Sequence, residues 1–457
     1  MKLSNAFFAT ITACSILAHA DDWPTYRRDN ARSGDTKESL NIPLTQAWTI
    51  QNQAPQQAWT GPAKWDAYAG NDGLQSMRNF DPCYFVTTSK GKAYFASSAD
   101  NGVHCIDPNN GKNHWSFFAD AAVRFPPTLH NGLAIFGSDD GFVYALHAAS
   151  GSLKWKFLAA PKDQKIPSNG KLISLHPVRT AVLVHQNQAF FGASLVPWEK
   201  SYLHSIDAES GKPNAKGFKK EFHDLTFQGA MLTNGERLYV PQGRTVPLVF
   251  SASDGKRLGQ VSQAGGTFAI LDAEGNFFAG PQNQRERNEQ MRAFTPDNSR
   301  VATFNNTNRL VVSGSTAFLH SGNALKAFDM KKNNELMAQI QPLDSELNSL
   351  NKEIKKKPND AALKERKKAI QTELDKLRKQ IETCWLWEQN GPVPLDLITT
   401  PETIVAGYPS KVAILSRSDG SEIWQAPIKG KVHGLTISNG ILYVSTDRGA
   451  IHAFKSN

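Results

Sequence analysis

The chain has 457 residues, with 51 Lys and Arg against 42 Asp and Glu and an aromatic content of 10%. The composition is that of an ordinary globular protein, and the length suits two or three domains or one long repeat architecture. The net charge of +9 forms no dense basic block outside one helical segment, which argues against nucleic-acid binding.

In chain order, residues 1–20 combine a lysine, an apolar run and a terminal A-H-A, the anatomy of a secretory signal cut after Ala20. The alternative is a lipoprotein signal, I-T-A-C, with Cys14 lipidated and the protein anchored to a membrane. The expected location is periplasmic or secreted. No later run of about 18 apolar residues occurs, so no spanning helix is expected. L-T-Q-A-W-T-I, residues 44–50, reads as a lone strand carrying Trp48.

Residues 83–118 and 126–158 are two copies of one unit, in which four strands alternate with three turns. D-P-N-N-G-K-N-H-W (107–115), H-A-A-S-G-S-L-K-W (147–155) and S-R-S-D-G-S-E-I-W (416–424) each place a tryptophan four residues after a turn glycine. Weaker copies continue to the C-terminus, and the last stops after three strands. Open sheet edges invite aggregation, so a ring needs every sheet complete. The missing strand is expected from 44–50. The reading is an all-β, eight-bladed β-propeller over 21–457, closed by that N-terminal strand. The turn glycines take a backbone conformation that other residues resist. Trp48, Trp115, Trp155 and Trp424, on outer strands, are expected to wedge between blades and bury a large apolar area.

Residues 341–383 break the pattern. Leu343, Leu347, Leu350 and Ile354 follow a 4-3-4 spacing, as do Ile370, Leu374, Leu377 and Ile381, which predicts a coiled-coil seam on two helices. Pro358 stops the first, and Asn359 or Asp360 can cap the second. The expectation is an inserted antiparallel α-helical hairpin between the third and fourth strands of the sixth blade, a rim spacer or a docking arm for a partner protein. Its lysines alternate with acids, which reads as a solvated helix face.

Beyond the signal, three cysteines remain, Cys83, Cys105 and Cys384. They permit one bridge at most, and two buried thiols are favoured over a Cys83–Cys105 bridge. In a propeller, the residues just before each innermost strand ring the channel mouth. Here these are Asp81, Arg124, His176 with Arg179, Gln228, Thr267 and His433, and Arg244 lies in a turn facing the same side. Such a ring could receive an anionic or polar ligand through charge-assisted hydrogen bonds. The competing reading is that these groups pair with carbonyls and one another and fix blade register. Trp59, Trp65 and Asp66 either cover one end of the channel or pack beside it.

The repeats resemble the pyrroloquinoline-quinone (PQQ) repeat family, the quinoprotein-like eight-bladed propellers. The family pattern of a strand ending in Asp, then x-x-(T/S/N)-G-K-x-x-W, is matched by Asp107 to Trp115, with degenerate copies at 147–155, 207–212 and 416–424. D-W-P-T-Y-R-R-D-N-A-R-S-G, at 22–34, is similar to the lead-in segment of secreted bacterial members. In dehydrogenases of this family the resemblance implies PQQ under a roof of two adjacent, disulfide-linked cysteines, Ca²⁺ held by Glu, Asn and Asp, and an Asp base. This sequence has no adjacent cysteine pair and no C-x-x-C-H haem motif. Asp107-x-Asn109-x-Gly111 mimics a calcium loop, but Phe118 stands where the bidentate Glu belongs. No H-E-x-x-H, G-x-S-x-G or P-loop occurs. No catalytic and no metal-binding residue is therefore assigned. The expected function is a non-catalytic binding or protein-interaction scaffold, monomeric, meeting another protein through the hairpin or a propeller face. The alternatives are a PQQ- and calcium-dependent oxidoreductase with a divergent site and, with no motif behind it, a hydrolase or lyase acting on a polymer.

Overall fold

The computed structural model describes residues 21–59, 79–243, 245–281 and 290–456. Eight four-stranded antiparallel sheets follow one another along the chain. The first blade has Val86–Ser89 innermost, then Lys92–Ala96, Gly102–Ile106 and Asn113–Phe118. The alternation that sequence pattern predicts is satisfied twice over, because each blade is covered on both faces by its neighbours. One cluster joins Ile135 of the second blade, Phe191 and Leu203 of the third and Phe250 of the fourth.

The eighth blade has Val432–Ser438, Ile441–Thr446 and Ala450–Lys455, and its outer strand is Thr45–Gln51 from the other end of the chain. Trp48 pairs with Ala453 and Thr49 with His452. The ring is thus closed inside one sheet, by hydrogen bonds rather than by packing alone.

Five tryptophans tie blade to blade. Trp48, Trp115, Trp155, Trp387 and Trp424 donate their indole N–H to the carbonyls of Pro108, Ala148, Ala208, Arg417 and Leu44, all in the following blade, at 2.8–3.2 Å. The turn glycine has a second role here. Gly111, Gly151, Gly211 and Gly420 have φ between 69° and 74°. A Cβ on any of them would meet the preceding blade's indole at 2.4–2.9 Å. Each glycine therefore permits its own turn and clears a seat for its neighbour's tryptophan. Phe218 takes the same seat over Gly255.

The insertion is a helical hairpin, but it begins earlier than the sequence suggests. Helix α1 is Met330–Lys356 and α2 is Ala361–Ile381. Asp329, the last residue of the third strand, caps α1 by accepting from the Lys332 amide, and Asp360 caps α2 by accepting from the Leu363 amide. Pro342 lies inside α1 rather than at its start. Met330, Leu336 and Ile340 bury the root against the fifth and sixth blades, and Asn333 donates to the Val301 carbonyl at 3.0 Å. Leu350, Ile370, Leu374 and Leu377 form the buried seam. No described helix is long and apolar enough to cross a membrane.

Candidate functional site

One end of the channel is covered by the chain's own lead-in segment. The Ser89 hydroxyl donates to Asp22, the Thr88 amide to the Trp23 carbonyl and the Leu129 amide to the Pro24 carbonyl. Asn30 donates to the Val184 carbonyl and accepts from the Thr233 amide, and the Leu271 amide donates to the Ala31 carbonyl. Thr399 brackets Gly34 and Thr36, and the Asn439 and Gly440 amides donate to the Glu38 carboxylate. These partners are the finishing ends of inner strands in the first, second, third, fourth, fifth, seventh and eighth blades. A segment bonded to all of them lies across the axis.

The segment is held by charges turned inward. Arg32 is fully buried and donates to the Met231 and Tyr26 carbonyls and the Thr25 hydroxyl. Burial with no paired carboxylate lowers its pKa to about 10. Arg27 binds Asp396, at the start of the seventh inner strand, at 2.7 Å and the Leu397 carbonyl at 3.0 Å. Its guanidinium and that of Arg309 both approach the Phe268 ring, at 5.1 and 4.5 Å. Burial, with Arg309 nearby, pushes His433 down to about 3, so it is neutral at physiological pH.

At the opposite end, the mouth, Asp81, Arg124 and Arg179 converge on a residue that sequence reading passes over. Asp139 accepts from Arg124 at 2.6 and 2.9 Å and from Arg179 at 3.0 Å on each oxygen. Arg124 also binds Asp81 at 2.5 Å, and Asp81 accepts from the Ala58 amide. The Arg179 guanidinium lies 5.3 Å from the Trp59 ring, and the Trp59 indole donates to Gln228 at 2.7 Å. Gln228 in turn donates to the Leu195 carbonyl. Burial works to raise the Asp139 pKa, but two guanidinium groups outweigh it and hold the carboxyl well below the usual range. A carboxylate so held takes up no proton near neutral pH.

Of the residues expected at the mouth, the structure joins Asp81, Arg124, Arg179 and Gln228 in one network. It sets His433 beside Arg309, and leaves His176 and Thr267 apart. His176 packs edge-on against Tyr202 at 5.2 Å, and burial lowers its pKa. Thr267 is buried in the strand Ala264–Leu271. Arg244, Trp65, Asp66, Cys14 and the signal segment lie outside the described residues. Asp139 sits in S-D-D-G, where turn chemistry accounts for two acids. Asp140 does make the turn, accepting from the Phe142 amide, while Asp139 faces the arginines. A short hairpin, Lys165–Ser168 with Lys171–Ser174, folds beside the mouth, where Lys171 donates to the Ser98 and Ala99 carbonyls.

A closed ring of eight blades, tied by outer-strand tryptophans on glycine turns, is an eight-bladed β-propeller, and it resembles the PQQ-like propellers. The resemblance holds in sequence over residues 57–217, which match the family model described as outer membrane protein assembly factor BamB. Among solved structures the chain is similar to BamB from Moraxella catarrhalis, with a TM-score of 0.52 and 12% identity over 91% of this chain and 100% of that one. It is similar to the quinohemoprotein alcohol dehydrogenase ADHIIG from Pseudomonas putida HK5, with a TM-score of 0.59 and 10% identity over 95% of this chain and 80% of that one. A europium-containing methanol dehydrogenase gives a TM-score of 0.57 and 9% identity over 95% and 98%. Identities this low show the fold alone. No curated protein sequence matches the chain.

The residues present do not fit a quinone with its calcium. Cys83, Cys105 and Cys384 are buried free thiols far apart in sequence, so none forms a vicinal roof. Asp81, Asp139 and Asp396 are each bound by arginine rather than open to a cation. Among the described residues, no three His, Cys, Asp or Glu are grouped to hold a metal ion.

Proposed function

We propose that the protein is a non-catalytic binding scaffold of the periplasm or the secreted fraction, monomeric, whose propeller face or helical hairpin meets a protein partner. The observation that carries this reading is the state of the carboxylates. Asp81, Asp139 and Asp396 are all neutralised by arginine, and the far end of the channel is covered by residues 22–36. Such a mouth is a fixed polar surface, in which Asp81 and Asp396, though burial raises their pKa, are held by arginine rather than turned to a substrate. The likeness to BamB, an assembly factor by its description, supports a partner that is itself a protein. The signal is cut after Ala20, which frees a chain starting at Asp21; lipidation at Cys14 is the alternative, and intact mass distinguishes the two.

The purified protein with PQQ and Ca²⁺ should show an unchanged melting temperature, no change in quinone absorbance and no reduction of a dye acceptor by alcohols. Saturable quinone uptake with dye reduction would replace the scaffold by a PQQ-dependent oxidoreductase.

A further inference from the structure

Charge is graded along the helical hairpin. From Lys352 to Lys368 there are eight Lys and Arg against Glu353, Asp360 and Glu365, leaving five net positive charges of the chain's +9. In sequence the acids look interspersed. Folding nevertheless concentrates the lysines, because α1 and α2 run antiparallel and bring two lysine triplets to one end. Lys355, Lys356 and Lys357 close α1, and Lys364, Lys367 and Lys368 occupy the first turns of α2. Two acids near the middle of α1 engage arginines of α2. Asp344 binds Arg378 at 2.6 Å and Glu346 binds Arg366 at 2.7 Å. The tip keeps seven lysines against Glu353, Asp360 and Glu365, on an arm whose first helix of 27 residues is about 40 Å long.

The chemistry of the tip narrows its partner. None of the exposed large apolar residues lies on either helix, so the tip itself offers no apolar anchor to a protein. No aromatic side chain stands at the tip to stack a base, as single-stranded nucleic acid would require. Lysine is a compact point charge on a flexible stem, suited to diffuse attraction rather than to bidentate recognition. A small convex end carrying such charges matches a plane of anionic headgroups. Clusters of four to eight basic residues bind such planes, each lysine strengthening the attachment about fivefold.

We propose that the tip of the hairpin docks electrostatically on an anionic lipid bilayer, holding the propeller an arm's length from the membrane. This inference is independent of the reading of the channel mouth.

The test is co-sedimentation of the whole protein with vesicles of phosphatidylcholine, with or without about 30% phosphatidylglycerol. The parent should bind only the anionic vesicles, and binding should be lost between about 0.05 and about 0.5 M salt as the Debye length shrinks. The K355Q/K356Q/K357Q and K364Q/K367Q/K368Q variants change side chains that are exposed or, at Lys367, half-buried, so their melting temperatures should match the parent's. Each should bind about a hundredfold more weakly. Failure of the parent to bind anionic vesicles, or triple variants binding as well as the parent, would overturn the proposal. So would tighter binding of the tip to duplex DNA or polyglutamate than to the vesicles.

Discussion

Asp139→Asn should destabilise the folded protein by about 3–5 kcal/mol, the range for removing one partner from a buried ion pair. The size follows from what is left behind. Asp139 is wholly buried and receives four hydrogen bonds from Arg124 and Arg179, whose side chains are themselves nearly buried. Asparagine keeps the shape and removes the charge. Arg124 retains Asp81, but Arg179 would lose its ion pair and be left facing the Trp59 ring. The pH dependence gives a second readout. The folded-state pKa of Asp139 is depressed, so its contribution is full above the unfolded value of about 3.9 and is lost as pH falls through the folded value. Denaturant melts at neutral pH and below pH about 4 should therefore converge for parent and variant as acid is added. Equal stability of the two at neutral pH would show that the network does not carry the mouth.

The second large effect is expected at the closing strand. Trp48→Ala should cost about 3–5 kcal/mol, the range for truncating a buried aromatic side chain. Trp48 is 9% exposed, donates to the Pro108 carbonyl, lies over Gly111 and contacts Tyr443. Trp155→Ala removes a similar set of contacts within the ring, over Gly211 and the Ala208 carbonyl. The two variants should differ in consequence. Loosening Thr45–Gln51 exposes the edge of Ala450–Lys455, whose unpaired amides and carbonyls template aggregation. Size-exclusion profiles at equal loss of stability should show aggregate for Trp48→Ala and monomer for Trp155→Ala.

The ring was legible because eight copies repeat one alternation of strand and glycine turn, and a repeat multiplies a weak local signal. Three tryptophan seats were readable for the same reason. Trp387 was not, because the hairpin separates it from the third strand and no turn glycine precedes it in sequence. Phe218 was not, because an aromatic without the indole N–H fills the seat by shape alone. The sequence pattern starts the hairpin at 341, later than its root at Met330, because proline favours the first turn of a helix and Q-P-L resembles a start. K-K-N-N just after Asp329 carries no apolar stripe of its own. The channel is the harder case. R-R-D-N-A-R has no period, and Arg27, Arg28 and Arg32 take positive φ, with Arg27 and Arg32 bonded to the distant Asp396 and Met231 and Arg28 to Asp21. Its partners are up to 370 residues away in sequence, as Leu397 is from Arg27. Mouth residues could be located from their position before inner strands, but Asp139, which binds two of them, lies at the end of a second strand.

The N-terminus closes both the ring and one end of its channel. Peptide-resolved hydrogen exchange of the intact protein tests this directly. Thr45–Gln51 and the amides that donate to residues 23–36, among them Thr88, Leu129 and Leu271, should exchange as slowly as the central strands of the blades, opening only with global unfolding. Exchange of Thr45–Gln51 within seconds, while strands such as Leu133–Gly137 and Lys411–Ser416 stay protected, would contradict it.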